Sequence, residues 1–330
     1  MTPKPLPYKT RLIIWTITTL NDAAIRRDGT TNRRFLNFIN IKAPANPNPV
    51  KNVKTYDITV DPSRNLWFRV FEPVLEDPQD AQLPVIVFFH GGGFTILSPD
   101  SMTYDAVCRR FARKVGAVVV SVNYRLSPEH RYPAQYEDGF DVLEFLDGDR
   151  KVLPECANVS WCFLAGDSAG GNLAHHVGKK ACEANFSRVK VVGVVAIQPF
   201  FGGQERTESE KMKNQIFITT KRTDWAWKAF MPDGDRDHEV INVSGPNAAD
   251  ITKIKDFPAT LVFVGGLDIL QDWQRKYYEW LKKSGKEAYL VEYPNMIHAF
   301  YVFPEFPEST MLITEVRDFV QKQIQIKSLM

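Results

Sequence analysis

The sequence predicts an α/β fold built on a mainly parallel, doubly wound sheet. Short apolar runs that suit buried strands alternate along the chain with segments of helical periodicity. One such run, residues 163–165, ends in a glycine-flanked serine turn that passes directly into a helical stripe. A strand, a sharp turn and a helix in this order place a serine at the edge of a sheet.

The serine turn has the form G-x-S-x-G, with Ser168 at its centre. Small residues at Gly166, Ala169 and Gly170 let two backbones approach closely, so the turn can hold Ser168 in a strained conformation. The serine Oγ would then stand clear of the sheet, and the Ala169 amide would face the group that this oxygen attacks. Because glycine is common, the motif alone only suggests a nucleophile.

A second glycine-rich motif comes earlier in the chain. His90 is followed by three glycines, directly after the apolar run 85–89. Successive glycines let backbone amides face a substrate carbonyl without an intervening Cβ. We expect the amides of Gly92 and Gly93, with that of Ala169, to form an oxyanion hole, in which each donor is typically worth ~3–4 kcal/mol. The first glycine is then the turn residue, and His90 is expected to brace the loop rather than to catalyse.

Candidates for an acid and a base follow two later apolar runs. Asp268 comes just beyond one of them, and His298 just beyond the next. The order Ser168, Asp268, His298 is that of α/β-hydrolases, in which each member follows the carboxyl end of a strand. His298 would take the Ser168 proton and deliver it to the leaving group, while Asp268 orients the imidazole. Asp272 is the alternative acid, although it falls inside the following helix.

The remaining elements follow from the same patterns. We expect strands over residues 56–60, 66–73, 85–89, 117–122, 163–165, 191–197, 261–264 and 288–293. We expect helices over residues 105–114, 136–147, 272–283 and 312–324, and one that begins at 169. The first two strands alternate and should form an antiparallel edge of the sheet. The polar, proline-rich loop 123–133 should brace the oxyanion loop.

The first fifty residues do not have the pattern of sheet. Apolar residues at helical spacing predict an amphipathic helix over about 8–25: Ile13, Ile17, Leu20 and Ala24. We expect residues 1–50 to form a lid over the mouth of the active site, with packing on the back of the sheet as the alternative. The core is expected over 51–330. Within it, the charged and aromatic stretch at about 200–250 has no clear strand and should be the second piece of a cap.

Composition and charge narrow the possible functions. The 330-residue length suits one large α/β domain with an insertion. The formal charge of +2 gives no electrostatic reason to expect binding to nucleic acid or to an anionic membrane. The cysteines, Cys108, Cys156, Cys162 and Cys182, show no C-x-x-C pair and no metal-ligand spacing. The apolar run 12–15 is short and soon broken by threonines, so we expect no signal peptide or membrane span.

Five motifs together resemble the plant class I carboxylesterases, α/β-hydrolases of the hormone-sensitive-lipase-like branch that are related to the gibberellin receptors. The motifs are residues 26–33, 90–94, 123–134, 166–171 and 236–238, so the resemblance covers nearly the whole chain. It implies an α/β-hydrolase core with a helical lid built from the N-terminal segment and the insertion. It also implies a substrate pocket lined by Tyr104, Asp167, Phe217, Ile218 and Tyr301.

Three departures from the receptors favour hydrolysis over hormone binding. The receptors lack the catalytic histidine that this chain keeps as His298, and they tend to have serine where this chain has Gly93. Arg222 and Thr223 stand where the receptors have a charged Asp-Arg pair. Two alternatives stay open: a gibberellin-receptor-like binding protein, and a non-hydrolytic enzyme, since relatives act as dehydratases and cyclases with the same pocket.

As a whole, the sequence predicts a serine carboxylesterase that hydrolyses a small, largely apolar ester through an acyl-enzyme. Aromatic residues in the expected lid predict a hydrophobic pocket. We expect a cytoplasmic protein with reduced thiols, and the nucleus as a second location. The expected partner is the ester alone, with no nucleic acid, membrane or protein partner, no metal and no other cofactor.

Overall fold

The computed structural model describes residues 6–76, 81–148, 151–213 and 215–329. Within these ranges eight strands form one sheet: β1 (Val53–Asp61), β2 (Leu66–Pro73), β3 (Leu83–Phe89), β4 (Val118–Val122), β5 (Ala157–Asp167), β6 (Val191–Ile197), β7 (Ala259–Gly265) and β8 (Ala288–Tyr293). The helices are α1 (Tyr8–Ala24), α2 (Arg33–Ile39), α3 (Met102–Phe111), α4 (Ala134–Gly148), α5 (Ala169–Ala181), α6 (Thr220–Phe230), α7 (Gln271–Lys283) and α8 (Pro307–Ser328).

The sheet order, β1-β2-β4-β3-β5-β6-β7-β8, creates a crevice at the centre of one edge. β1 and β2 pair antiparallel, as do β2 and β4, whereas all other neighbours are parallel. The chain passes from β3 to β4 on one side and then crosses to β5 on the other. Such a reversal opens a ligand-binding crevice beyond the carboxyl ends of β3 and β5. The predicted parallel sheet with an antiparallel edge is confirmed.

Alternate residues of the central strands enter two cores, one on each face of the sheet. In β3, Val85, Val87 and Phe89 pack with residues of α4, α5 and α7. Ile86 and Phe88 pack on the other face with residues of α3 and α8. A strand that is buried on both faces must be apolar along its whole length, which is why the sequence shows these strands as unbroken apolar runs.

The helix bounds differ most from the predictions where proline or an irregular turn sets them. α8 begins at Pro307 rather than at 312, because proline suits the first position of a helix. The helix predicted over 105–114 is α3 followed by a π-helical turn, Ala112–Gly116. Among the helices of the described ranges, none is both long and apolar enough to cross a bilayer.

The N-terminal segment contacts both α6 and the loop after β4. Arg222 of α6 donates two hydrogen bonds to Asp22 of α1, at 2.8 and 2.6 Å, and Trp225 Nε1 donates to the Arg26 carbonyl at 2.8 Å. Arg33, at the start of α2, forms an ion pair of 2.6 Å with Glu129 in the loop after β4. These contacts join the end of α1, the start of α2 and the segment between them to the carboxyl edge of the sheet. Residues 1–5 of the expected lid lie outside the described residues.

Candidate active site

The turn between β5 and α5 holds Ser168 in a backbone conformation that residues other than glycine rarely adopt. Its φ is 53° and its ψ is −119°, a geometry that costs on the order of 1–3 kcal/mol. The Ser168 amide donates to the Ile197 carbonyl at 2.9 Å, and the Ser168 carbonyl accepts from the amides of Gly171 (3.0 Å) and Phe200 (2.8 Å). These backbone hydrogen bonds hold the turn in place.

Two glycines make this turn sterically possible. A Cβ on Gly170 would lie 1.9 Å from the Phe89 carbonyl oxygen, and a Cβ on Gly166 would lie 2.3 Å from the Gly170 carbonyl oxygen. Both contacts are with backbone, so no side-chain movement would relieve them. Phe89 also pairs with Gly166 in the parallel ladder of β3 and β5. The glycine loop after β3 therefore lies directly beside Ser168.

Asp268 and His298 meet beyond the ends of β7 and β8. His298 Nδ1 lies 2.7 Å from Asp268 Oδ2, and both side chains are buried. Burial alone would lower the pKa of His298. The charge of Asp268 and its hydrogen bond outweigh burial, so the pKa of His298 lies above its ordinary value. Asp272, the alternative acid, instead accepts a hydrogen bond from the Ser209 amide at 2.9 Å.

Three further donors hold the Asp268 carboxylate. The Leu270 amide donates to Oδ1 at 2.9 Å, and the side-chain amides of Gln198 and Gln274 donate to Oδ2 at 3.1 and 2.8 Å. Neither glutamine could be recognised from the sequence, because no motif marks them. The available signal was position: Gln198 comes directly after β6, at the sheet edge from which Ser168 and Asp268 also extend.

Among the described residues, three backbone amides at this edge have no hydrogen-bond acceptor. Gly92 and Gly93 have positive φ values of 104° and 59°. In the described part of the chain, neither their amides nor that of Ala169 donates a hydrogen bond. Ala169 is the first residue of α5, where a helix offers its amides no internal acceptor. These three amides are available to an anion.

The Gly91 amide, in contrast, is already satisfied. It donates to Tyr104 Oη at 2.6 Å and to Asp167 Oδ1 at 2.9 Å. Tyr104 Oη in turn donates to Asp167 Oδ1 at 2.9 Å. Burial raises the pKa of Asp167 to about 6, although its hydrogen bonds and the nearby His298 oppose that rise. The Gly91 amide is therefore not free to donate to a substrate.

The loop after β4 braces the glycine loop. The rings of His90 and Tyr124 stack with centroids 4.2 Å apart, and Tyr124 Oη donates to the His90 carbonyl at 2.6 Å. The Ser127 amide donates to the Phe94 carbonyl at 2.8 Å. Burial lowers the pKa of His90 to about 4, so its imidazole is neutral at pH 7. The expectation that His90 and this loop form a brace is confirmed.

A cavity of about 1230 Å³ opens at the carboxyl edge of the sheet. Ser168, His298, Gly92 and Gly93 all line it. Much of its apolar wall comes from the N-terminal helices and the insertion: Ile13, Ile17, Leu20, Leu36, Ile218 and Trp225. Within the described residues no hydrogen bond joins the side chains of Ser168 and His298, and such bonds often tighten only when substrate binds.

Four of the five expected pocket residues line this cavity: Tyr104, Asp167, Phe217 and Ile218. Tyr301 does not line it. Its side chain is fully buried on the short helical turn Phe300–Val302 and belongs to the core on the α3 and α8 face. Burial and the charge of Asp167 raise the pKa of Tyr301. The expected part of Tyr301 in substrate binding stays a prediction.

The described residues contain no cluster of three or more histidine, cysteine, aspartate or glutamate side chains that could hold a metal ion. All four cysteines are free thiols, two of them buried.

Comparison with known proteins gives three kinds of match. A family model described as alpha/beta hydrolase fold matches residues 86–302. A gibberellin receptor of Arabidopsis thaliana is 40% identical over 333 residues, which cover 97% of this chain and 96% of the receptor. Carboxylesterase 20 of the same plant is 36% identical over 272 residues, which cover 79% of this chain and 83% of that protein. A solved structure of a hyperthermophilic esterase from Pyrobaculum calidifontis superposes with a TM-score of 0.74 at 27% identity. The alignment covers 97% of this chain and 99% of the esterase chain.

Proposed function

This chain belongs to the α/β-hydrolase fold family, and we propose that it is a serine carboxylesterase acting on small, largely apolar carboxylic esters. One observation carries the proposal. His298, paired with Asp268 at 2.7 Å, lines the same cavity as Ser168, whose strained turn presents it at the sheet edge. A nucleophile, a base and a group that orients the base are the parts that acyl transfer needs.

In the proposed acylation step, the neutral imidazole of His298 accepts the proton of Ser168 Oγ while that oxygen attacks the ester carbonyl. Asp268 holds the ring with Nδ1 protonated and stabilises the imidazolium that forms. Collapse of the tetrahedral intermediate breaks the bond to the alcohol oxygen, which takes the proton from His298. The acyl group is then an ester of Ser168.

In the deacylation step, water attacks the acyl-enzyme and gives its proton to His298. The second intermediate expels Ser168 Oγ, which regains the proton, and releases the carboxylic acid. In both steps the carbonyl oxygen becomes negative. The free amides of Gly92, Gly93 and Ala169 are the proposed donors to it, and loss of one such donor typically costs ~3–4 kcal/mol of transition-state stabilisation.

The cavity wall supports an apolar substrate. Ile13 and Ile17 of α1 and Phe217 and Ile218 of the insertion line the cavity that contains Ser168. We propose that the N-terminal helices and the 200–250 insertion are its lid, since Arg222 and Asp22 join them. We also propose a cytoplasmic location, with the nucleus as a second one, because free thiols are typical of reducing compartments.

The test is turnover of nitrophenyl esters of increasing acyl length by wild type, Ser168→Ala and His298→Ala. We expect hydrolysis by wild type, and a loss of about 10⁴–10⁶ in kcat in each variant. Ser187→Ala is the matched control, because Ser187 is exposed and lies outside the cavity wall. No turnover by folded wild type, or turnover untouched by both substitutions, would reject the esterase.

A second candidate function is binding of a small molecule without turnover. The observation that favours it is the end-to-end similarity to a gibberellin receptor, which extends through α1 and α2. Calorimetric titration of wild type and Ser168→Ala with a gibberellin tests it. Saturable binding by both, without ester turnover by wild type, would favour the receptor; absence of binding would reject it.

A further inference from the structure

Gln198 occupies an unusual place at the end of β6. It is a non-glycine residue in the left-handed region, with φ of 44°, and its side chain is buried. Its backbone amide donates to the Phe263 carbonyl of β7 at 3.0 Å. A Cβ on Gly265 would lie 2.5 Å from Gln198 Nε2, so the glycine at the end of β7 leaves the space that this side chain fills.

The side-chain amide of Gln198 contacts both the acid and the loop that carries the base. Nε2 donates to Asp268 Oδ2 and to the Ile297 carbonyl, each at 3.1 Å. Oε1 accepts from the Ala299 amide at 2.8 Å. Ile297 and Ala299 are the two neighbours of His298 in the chain. Two of these partners are acceptors and one is a donor, so only one orientation of the amide satisfies all three.

We propose that Gln198 is a positioning residue that holds Asp268 and His298 as one unit. The inference rests on the proposed function, because that function gives these two residues their roles as acid and base. Ala299 has a strained φ of 55°, and the hydrogen bond from its amide to Gln198 holds the turn that presents the imidazole. Without Gln198, the peptide groups on both sides of His298 lose a fixed partner, and the carboxylate loses a donor.

Gln274 provides an internal comparison. Its Nε2 donates to the same Asp268 Oδ2, at 2.8 Å, and its side chain is also buried. Its Oε1 has no hydrogen-bond partner among the described residues. Gln274 thus supports the acid alone, whereas Gln198 bridges the acid and the base.

The experiment compares Gln198→Met with Gln274→Met, since methionine keeps the length of the side chain and removes its donors. We expect Gln198→Met to lower kcat about 10- to 100-fold, because a misplaced base costs about that much. KM should stay within about twofold, since Gln198 is not among the residues that line the cavity. Gln274→Met should lower kcat less than about fivefold.

A spectroscopic readout separates positioning from general stability. The Nδ1 proton of His298, bonded to a carboxylate, should give a far-downfield proton NMR signal that His298→Ala removes. We expect Gln198→Met to broaden or abolish this signal, and Gln274→Met to keep it. An unchanged signal together with an unchanged kcat in Gln198→Met, or equal losses in both glutamine variants, would overturn the proposal.

Two outcomes keep this inference distinct from the esterase proposal. If wild type hydrolyses no ester while the NMR signal behaves as described, the proposed function fails and the positioning role stands. If Gln198→Met does not fold, hydrogen exchange in wild type decides instead. The Ala299 amide should then exchange as slowly as amides of the central strands, and fast exchange would overturn the proposal.

Discussion

At the scale of single residues, the nearest charge decides how a buried histidine ionises. His298 lies beside Asp268, and its pKa is raised. His90 and His175 are buried without a hydrogen-bonded carboxylate, and burial lowers their pKa values to about 4 and about 3. The pKa of a buried histidine is thus raised at one position of this protein and lowered at two others. Of these three buried histidines, only His298 has a raised pKa, which suits a base exchanging protons near neutral pH.

The raised pKa of His298 predicts how hydrolysis depends on pH. The imidazole accepts the Ser168 proton only when it is neutral, so kcat/KM should rise with pH and reach half its plateau above pH 6.5. Asp268→Asn should move the midpoint of the residual activity to lower pH and lower kcat by about 10⁴. Initial rates across the neutral pH range check both expectations. A wild-type midpoint below pH 6.5 would contradict them.

Residues with a motif could be predicted from the sequence, and residues without one could not. Ser168 and His298 were located by their motif and chain order, and the structure places both in one cavity wall; their catalytic roles stay a prediction. Gln198 has no motif, because an amide side chain after a strand is ordinary. The exclusion of Tyr301 from the cavity depends on which face of a short turn is buried, which residue types do not reveal.

At the scale of elements, the turn between β5 and α5 tolerates no side chain at its closest contact. Gly170→Ala would place a Cβ 1.9 Å from the Phe89 carbonyl oxygen. We expect a loss of about 3 kcal/mol or more in the free energy of unfolding. The control is Gly178→Ala in the same helix, where the nearest atom is a Val194 side-chain carbon at 3.2 Å, and we expect a change within about 1 kcal/mol.

Urea unfolding of both variants measures this difference. Equal effects of the two glycine substitutions would contradict the close approach of the two backbones at this turn.

The proposed lid makes a prediction about α1. Ile17 lines the cavity, whereas Leu12 is not among the lining residues and is 49% exposed. Ile17→Ala should raise KM for medium-chain esters about 3- to 10-fold, because the cavity loses three carbons of apolar contact. Leu12→Ala, a substitution of the same size on the same helix, should change KM less than about twofold.

The two KM values, measured on the same series of esters, decide this point. If KM changed equally in Ile17→Ala and Leu12→Ala, the proposal that α1 is part of the substrate site would be wrong.

At the scale of the whole molecule, parallel pairing brings the reacting groups together. Ser168, Asp268 and His298 follow β5, β7 and β8, and the glycine loop follows β3, so all extend from one edge. The sheet was predictable because strands buried on both faces must be apolar throughout. Helix α6, within the stretch predicted as a cap, was not predicted, because its place depends on contacts with residues far away in the chain. One such contact is the bond from Trp225 to Arg26.

Buried neutral histidines, among them His90 and His175, predict that the protein loses stability in acid. The pKa values of His90 and His175 are lowered in the folded state, so the unfolded chain binds more protons below about pH 6.5. Each histidine should therefore lower the free energy of unfolding by about 1 kcal/mol per pH unit as the pH falls from about 6 to 5. His175→Gln should make the decline shallower by one such contribution. Urea unfolding at several pH values measures this decline. If the free energy of unfolding fell equally steeply with pH in wild type and in His175→Gln, His175 would not be a source of the acid sensitivity.

The measurement that tests the central claim most directly is covalent labelling with a fluorophosphonate, followed by intact mass and peptide mapping. The proposed mechanism predicts a single adduct on Ser168, no adduct in Ser168→Ala, and labelling of His298→Ala slower by about 10⁴ or more. Labelling of wild type should also slow as the pH falls through the raised pKa of His298. Folded protein that takes no label, or Ser168→Ala that labels as fast as wild type, would contradict the account.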